Sequence, residues 1–452
     1  MQTFDVAVIG LGPGGEHVAG TLAESGLRVL GIERELVGGE CPYWGCVPTK
    51  MMVRASDALA EAHRVPALAG HLDQVRPDWA LVAARISDEA TDAWDDTVAA
   101  RRFTDKGGVL VRGSGKVISD TEVEVDGTSY RVRRGIVVAT GSKAAIPPIP
   151  GLADVDYWTN REVVSATTLP QSMVVLGGGA IGCELSQVLA RFGVRVILVE
   201  AAPRLLALEE PEASAALQGV LEAEGVEVHL SLGAEQVEAA GAGVTVRLAD
   251  GTSVSAERIL VATGRRADPA AVGLTAVGVD PAARVAPTDH RCRVSEGVWA
   301  VGDLTGKGAF THVAMYQAGI VIRDLLGEPG PPAAYHALPR VTFTDPEIGA
   351  VGLTEAQARE QLTKVSVGAT PLSATTRGWI HKVGNEGFIK LVADAERDVL
   401  VGATVMAPAG GEVLGALAVA VHARVPLAEL RSMIYAYPTF HRGIEEALGK
   451  LH

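Results

Sequence analysis

The chain has 452 residues, four cysteines and a formal net charge of −14. Domains usually run about 100–200 residues, so this length predicts two to four of them. The acidic balance speaks against nonspecific nucleic-acid binding, and so few cysteines exclude a secreted disulfide framework. The opening residues, MQTFDVAVIGLG, enter a strand at once, with no basic leader and no cleavage site. No stretch reaches 18 uninterrupted apolar residues, so a membrane-spanning helix is not expected. The expectation is a cytoplasmic protein with neither a nucleic-acid nor a membrane partner.

In chain order, Asp5 to Ile9 (DVAVI) reads as a buried parallel strand. A glycine-rich turn, a helix around Glu16–Ser25 and a second strand at Arg28–Glu33 complete a βαβ unit. Residues 47 to about 104 read as helical, in Ala-rich amphipathic stretches, and short strands follow at 108–140. The Pro-rich segment KAAIPPIPG reads as a linker. A second βαβ unit starts at Met173, and strand-like sequence runs on to RILVATGRR at 258–266. VWAVGDL (298–304) reads as an apolar strand ending in an Asp. From about 336 the texture is that of strands (VTFTDPEIGAVGLT, GFIKLVAD, LVGATVMAP) followed by helices at 411–422 and 427–434. The pattern is an internal repeat of nucleotide-binding units with an α+β end, not a solenoid.

Gly10, Gly12 and Gly15 form a G-x-G-x-x-G fingerprint between a strand and a helix. The first glycine permits the tight turn, the second lets backbone approach a pyrophosphate, and the third lets helix pack on strand. Glu33 closes the second strand, 18 residues after Gly15, where an acid would bind ribose hydroxyls. Gly177, Gly179 and Gly182 repeat the fingerprint, with Glu200 at the end of the next strand. Two fingerprints imply two dinucleotides. Glu200 would repel a 2′-phosphate, which favours NADH over NADPH, and the nearby Arg204 leaves NADPH possible.

The segment GGECPYWGCVPTK places four residues between Cys41 and Cys46, with Lys50 one helical turn later. Such a pair can approach disulfide distance at a bent helical start, and a thiolate there gains from free helix N–H groups. The plainer alternative is two ordinary buried thiols. Metal binding would need a second cysteine pair or a nearby His, and neither is present.

With these motifs together, the chain resembles the class I pyridine nucleotide-disulfide oxidoreductases, the family of dihydrolipoamide dehydrogenase, glutathione reductase and mercuric reductase. The likeness runs along essentially the whole chain. It includes Ala139-Thr140-Gly141, Ala262-Thr263-Gly264, Val301-Gly302-Asp303 and the stretch Pro339 to Glu347. It implies an α/β fold with two Rossmann-like dinucleotide-binding domains, for FAD and NAD(P), plus a C-terminal α+β dimerisation domain. The implied layout is FAD-binding at 1–150 with a helical insertion at about 47–104, NAD(P)-binding at 151–270, a return to FAD at 271–335 and dimerisation at 336–452. The resemblance also implies a homodimer. It makes Cys41 the thiol that exchanges with substrate and Cys46 the one stacked on the flavin. Lys50 would sit by the flavin N5, paired with Glu184, and Asp303 would bind the ribitol chain. Thr140, Gly141, Gly264 and Gly302 would line the cofactor sites.

The sequence departs from the family near its end. The family carries a His-Pro-Thr segment with a Glu five residues after the His, and that pair serves as acid–base catalyst across the dimer. Here the aligned positions are Tyr437 and Arg442. A general base contributes roughly 10²–10⁴-fold, and a tyrosine, with a pKa near 10, is a poor base at neutral pH. Tyr437 could still donate a hydrogen bond to an acceptor, or could simply fill the space of the imidazole. His441 reads as a surface or interface histidine. Tyr43 and Trp44 are bulkier than usual, which suits either packing or a stacking surface for a planar acceptor. Cys183 and Cys292 read as structural thiols, and His312 as a helix residue without catalytic duty.

The expected function is therefore an FAD-dependent NAD(P)H oxidoreductase that reduces a quinone-like or other non-disulfide small-molecule acceptor. Alternatives are a dihydrolipoamide dehydrogenase or other disulfide reductase with a substitute base, an enzyme resembling the branch that cleaves a thioether ketone and carboxylates the product, and a flavin-bound redox sensor.

Overall fold

The computed structural model describes all 452 residues. They form two compact units, each assembled from three stretches of chain. One holds Met1–Thr49, Ala83–Ala145 and Gly264–Ala334, and the other holds Lys50–Val82, Ile146–Thr263 and Tyr335–His452.

In the first unit, β1 (Gln2–Ile9) runs parallel to β2 (Val29–Glu33) on one side and to the strand Thr128–Val138 on the other. Val6 to Ile9 are all buried, as an unbroken apolar run in a sheet covered on both faces requires. The crossover helix α1 (Pro13–Glu24) puts Pro13 at its first position, where a missing N–H costs nothing. It lies on one face of the sheet beside the helix Thr311–Leu326, where Leu22, Phe103 and Trp299 share a core. Leu274, Val117 and Ile136 belong to a second core. The register Ile9 to Ile32 sets Gly10 and Glu33 side by side at the strand ends, and Gly10 N–H donates to Ile32 O at 2.8 Å.

The second unit repeats this plan. Its parallel sheet runs, edge to edge, Glu227–His229, Arg195–Val199, Ser172–Leu176, Arg258–Val261 and Tyr157–Trp158. Val199 pairs with Leu176, which brings Gly177 and Glu200 together as Gly10 and Glu33 are. A separate three-stranded antiparallel sheet follows, and the C-terminal part is a five-stranded antiparallel sheet carrying the helix Gly410–His422.

The expected elements differ from the structure in several places, among them the helix Pro211–Ala223, which lies in a stretch expected to be strand-like. The helical stretch 47–104 is not continuous. Helix α3 (Cys46–Leu68) ends well before the helix Trp79–Arg85, a π-helical turn spans Ile86–Ala90, and the helix Thr97–Asp105 comes only after a tight turn. In that turn Asp92, Ala93 and Trp94 adopt φ of +49°, +51° and +58°. This left-handed conformation costs an L-residue roughly 1–2 kcal/mol. Asp303 does not end a strand: the strand Val298–Ala300 stops earlier and Gly302–Thr305 is a 3₁₀ turn, entered through Gly302 at φ +76°. The linker is partly structured, because Lys143–Ala144 pairs antiparallel with Arg265–Arg266. The strand Val365–Pro371 was not expected. Its alternation is diluted by Gly368 and Pro371, and it becomes a strand by pairing with Phe388–Asp394.

Candidate active site

The first fingerprint has the form a pyrophosphate needs. Gly10 has φ +91°, and a Cβ there would meet Ala139 O at 2.6 Å. A Cβ on Gly15 would run into the carbonyl of Gly10. Gly12 caps α1 with no side-chain hydrogen bond, so the first-turn N–H groups stay open to an anion. A Cβ on Gly39 would close to 2.7 Å from Gly12 Cα, so these two glycines let the redox loop pass close to the phosphate turn. Glu33 accepts from Leu11 N at 2.7 Å and from Glu35 N at 2.8 Å. A carboxylate has about four lone-pair directions, which leaves two for ribose hydroxyls.

The second fingerprint is built in the same way. Gly177 has φ +107°, and Gly182 abuts its carbonyl. Gly179 caps the helix Ala180–Arg191 without a side-chain bond and borders open space. Glu200 accepts from Gly178 N at 2.5 Å and Ala202 N at 2.7 Å. Arg204 is committed elsewhere: it donates to the carbonyls of Leu206, Ala207 and Glu209 and to the Ser214 hydroxyl. Glu200 thus stands at its strand end without Arg204 to offset its charge.

Asp303 sits in a polar cluster that the sequence reading did not anticipate. Ser142 Oγ donates to its carboxylate at 2.5 Å. Arg265 donates to Ser142 Oγ at 2.8 Å and Ser142 O at 2.6 Å, and its guanidinium lies 3.9 Å from Asp303 and 3.5 Å from Glu40. Thr140 and Gly141 precede Ser142 directly, and Gly264 precedes Arg265, so both Thr-Gly turns end at this cluster. The spacing of the two Ala-Thr-Gly motifs gave no sign that the residues after them would meet. Gly302 N–H donates to the buried Gln317 at 2.7 Å, which fixes the turn holding Asp303.

The cysteine loop follows two left-handed glycines, Gly38 (φ +109°) and Gly39 (φ +67°). One helical turn, α2 (Glu40–Tyr43), carries Cys41, and Cys46 opens α3. Both sulfurs are thiols, hydrogen-bonded to each other, and Cys46 Sγ also lies 3.4 Å from Thr311 Oγ1. The hydrogen bond to Cys46, and then burial, push the Cys41 thiol far above the usual range. Tyr43 is buried, and Trp44 stacks on Trp94 with ring centroids 5.3 Å apart. The two bulky aromatics of the loop therefore pack against the protein.

Lys50 and Glu184, 134 residues apart, meet at 2.5 Å. Glu184 is only 7% exposed, and its second oxygen accepts from Phe343 N at 2.8 Å. The Lys50 ammonium lies 4.5 Å from the centre of the Phe343 ring. Phe343 lies in the stretch Pro339 to Glu347, to which the resemblance assigns no role. Here its ring and amide complete the shell of the pair.

Tyr437 is 64% exposed, with the Arg442 guanidinium 5.3 Å from its ring centre, and Arg442 pairs with Glu445 at 3.0 Å. The neighbouring cavity, lined by Thr375, Arg377, Tyr437 and Arg442, measures about 10 Å³, room for about one water and not for a substrate. The His441 ring is turned to the buried Tyr435, 5.1 Å away. Cys183 is buried against Gly178 O, Cys292 is buried before the strand Arg293–Ser295, and His312 stacks on Phe310 at the start of its helix.

Two dinucleotide folds, a close cysteine pair and a C-terminal α+β domain define a flavin-dependent enzyme that exchanges electrons with pyridine nucleotides. The model of the pyridine nucleotide-disulphide oxidoreductase family matches residues 4–318, its dimerisation domain matches residues 338–448, and the chain belongs to this family. It is similar to the dihydrolipoyl dehydrogenase of Chlorobaculum tepidum (33% identical, covering 98% of this chain and 96% of that one). It is also similar to the mercuric reductase of Bacillus cereus (31% identical, covering 98% and 71%). Among solved structures, LpdA of Mycobacterium tuberculosis superimposes with a TM-score of 0.87 at 25% identity, over 99% of each chain. The HOCl-induced flavoprotein disulfide reductase RclA of Escherichia coli gives 0.86 at 25%, again over 99% of each chain. The protein is accordingly an FAD-dependent enzyme that uses NAD(P)H, and its dimerisation domain supports a homodimer. No helix is long and apolar enough to cross a membrane.

Proposed function

We propose that the enzyme passes electrons from NADH through FAD to a quinone-like or other non-disulfide acceptor, with Cys41 and Cys46 as a redox-active pair. The observation that carries the choice of acceptor is the side chain at position 437. A phenol under an arginine stands where dithiol–disulfide exchange needs an imidazole held by a carboxylate, and the nearby His441 faces Tyr435 instead. Without that base, a thiol substrate has no group to take its proton, whereas an acceptor that takes electrons directly needs none.

In this reading residues 1–150 and 271–335 hold FAD, 151–270 hold the nicotinamide nucleotide, and 336–452 form the dimer. The FAD and nicotinamide together supply hydride and electron transfer. Gly10, Gly12 and Gly15 admit the flavin pyrophosphate at the start of α1, Glu33 takes the ribose, and Thr140, Gly141, Gly302 and Asp303 hold the remainder. Gly177, Gly179, Gly182 and Gly264 serve the nicotinamide nucleotide in the same way. Glu200 takes its ribose, and the full commitment of Arg204 favours NADH over NADPH. Lys50, fixed by Glu184 and Phe343, supplies a held positive charge. Cys46, which opens α3, is the thiol that would stack on the flavin, and Cys41 the one that would exchange with substrate, as the resemblance implies.

Steady-state assays test the choice of acceptor. With NADH and a soluble quinone the enzyme is expected to turn over at least about 100-fold more efficiently than with NAD⁺ and dihydrolipoamide, the size of a missing general base. Equal kcat/KM for the two would overturn the reading.

A further inference from the structure

We infer that Trp94 is a positioning residue for the Cys41–Cys46 pair: a strained turn holds its indole against the loop between the cysteines and fixes their separation. The inference rests on the reading of that pair as the redox centre.

Asp92, Ala93 and Trp94 are three consecutive left-handed residues, none of them glycine. Aspartate tolerates this region, but alanine and tryptophan do not adopt it unless something holds them there. The turn is held by Ala93 N–H donating to Ser87 O at 2.8 Å, Asp95 N–H to Asp92 O at 2.9 Å and the buried Thr91 hydroxyl to Ile86 O at 3.0 Å. Its product is a specific contact. The Trp94 ring lies on Trp44 at 5.3 Å with 25° between the planes, and its indole N–H donates to the Tyr43 carbonyl at 3.3 Å. Two residues on, Asp96 accepts from Val37 N at 2.6 Å and pairs with Arg112, which also donates to Glu35 O at 2.7 Å. The segment from Trp94 to Asp96 therefore grips the redox loop on both sides of Gly38 and Gly39.

Pro42, Tyr43, Trp44 and Gly45 are the whole tether between the two cysteines. Reduction breaks the S–S bond with two electrons and two protons and leaves two thiols. A slack tether lets those thiols part, whereas a clamped one keeps each at high effective concentration for the other and so favours the disulfide.

The test equilibrates the holoenzyme anaerobically in mixtures of reduced and oxidised glutathione. Two glutathione thiols supply the electrons and protons and become one glutathione disulfide. After acid quench and alkylation, the mass of the Cys41–Cys46 peptide gives the oxidised fraction. Trp94→Ala is expected to lower the equilibrium constant for the disulfide by about tenfold, or about 30 mV. Trp94→Phe, which keeps a ring on Trp44, is expected to recover most of that loss. Ala93→Gly removes backbone strain and leaves the indole, so it is expected to hold the wild-type constant with a raised Tm. If Trp94→Ala does not fold, Trp94→Leu replaces it, with the same shift expected. An unshifted constant in either variant, with the wild type forming the disulfide normally, overturns the clamp alone. A wild type that forms no disulfide in any mixture overturns the redox-centre reading and the inference with it.

Discussion

At Glu184 one nearly buried carboxylate meets two demands, the Lys50 ammonium on one oxygen and the Phe343 amide on the other. Glu184→Gln keeps the shape and an acceptor for the amide but leaves Lys50 without its counter-charge. FAD content is expected to be retained, while the rate of flavin reduction by NADH falls about tenfold, equivalent to about 1.4 kcal/mol. Stopped-flow bleaching of the flavin measures this, and an unchanged rate would separate Lys50 from the chemistry. Glu200 offers a second single-residue test. Its carboxylate spends one bond on Gly178 and one on Ala202, and Arg204 is tied to its own loop. A nucleotide with a 2′-phosphate would therefore meet a net negative strand end. NADPH is expected to give at least about tenfold lower kcat/KM than NADH, a difference of about 1.4 kcal/mol, and Glu200→Gln is expected to narrow the gap by relieving the repulsion.

The loop after Glu200 is pinned by charges that no motif announced. Arg340 takes both oxygens of Glu209, at 2.7 and 3.0 Å. Lys390, 4% exposed in the strand Phe388–Asp394, meets Glu210, Glu212 and Glu355 within 2.9 Å. Glu210 stands at the start of the helix Pro211–Ala223, makes no side-chain cap bond and is buried, so Lys390→Met would leave its charge without a counter-ion. Breaking one side of such a buried pair costs about 3–5 kcal/mol, and a Tm lower by several degrees in a thermal melt is expected. Asp57 sets a pH dependence on α3. Burial, and then the charge of Asp345, raise its carboxyl to about 6 despite Arg191 at 2.8 Å. The folded state thus keeps a proton that the unfolded chain loses near pH 4, so this group withdraws stability as pH rises from about 4 to 6. The Tm gain of Asp57→Asn over wild type is expected to grow across that window and stay level above it. A gain independent of pH would place the effect elsewhere. Elements of strong local pattern, such as the two βαβ units with their glycines and terminal acids, could be read directly from the chain. Elements that owe their shape to distant partners could not. The strand Val365–Pro371 exists through its pairing with Phe388–Asp394, and the turn at Asp92–Trp94 opposes the local preference of its own residues. Ser142 reaches Asp303, and Arg265 reaches Ser142, each across more than a hundred residues of chain. For Lys50, spacing along a helix cannot name a partner 134 residues away, and Glu184 came into view only through the family resemblance.

Across the whole molecule, one plan is used twice: a glycine turn at a strand end, an uncapped helix start, and a glutamate that bonds back to the turn. The third part, with its antiparallel sheet, has a different purpose, and its surface shows it. Ile434 is 96% exposed, Trp379 73%, and Met433 and Tyr437 stand open beside Ile434 in the same stretch of chain. Isolated exposed apolar residues are ordinary, but a run of them in a domain of the dimerisation type marks surface that is covered in the assembly. A subunit contact of this kind repeats itself about a two-fold axis, so each substitution acts twice. Ile434→Glu would bury two unpaired carboxylates at the contact and is expected to give a monomer in sedimentation equilibrium at micromolar concentration. FAD is expected to be retained, because Gly10, Gly12, Gly15 and Asp303 lie outside the dimerisation domain. Activity is expected to separate the two mechanisms still in play. If turnover with the quinone survives in the monomer, the acceptor takes electrons from one subunit alone. If it is lost while the flavin still bleaches with NADH, the partner's surface around Tyr437 completes the acceptor site, and the phenol at that position is part of how the acceptor is held.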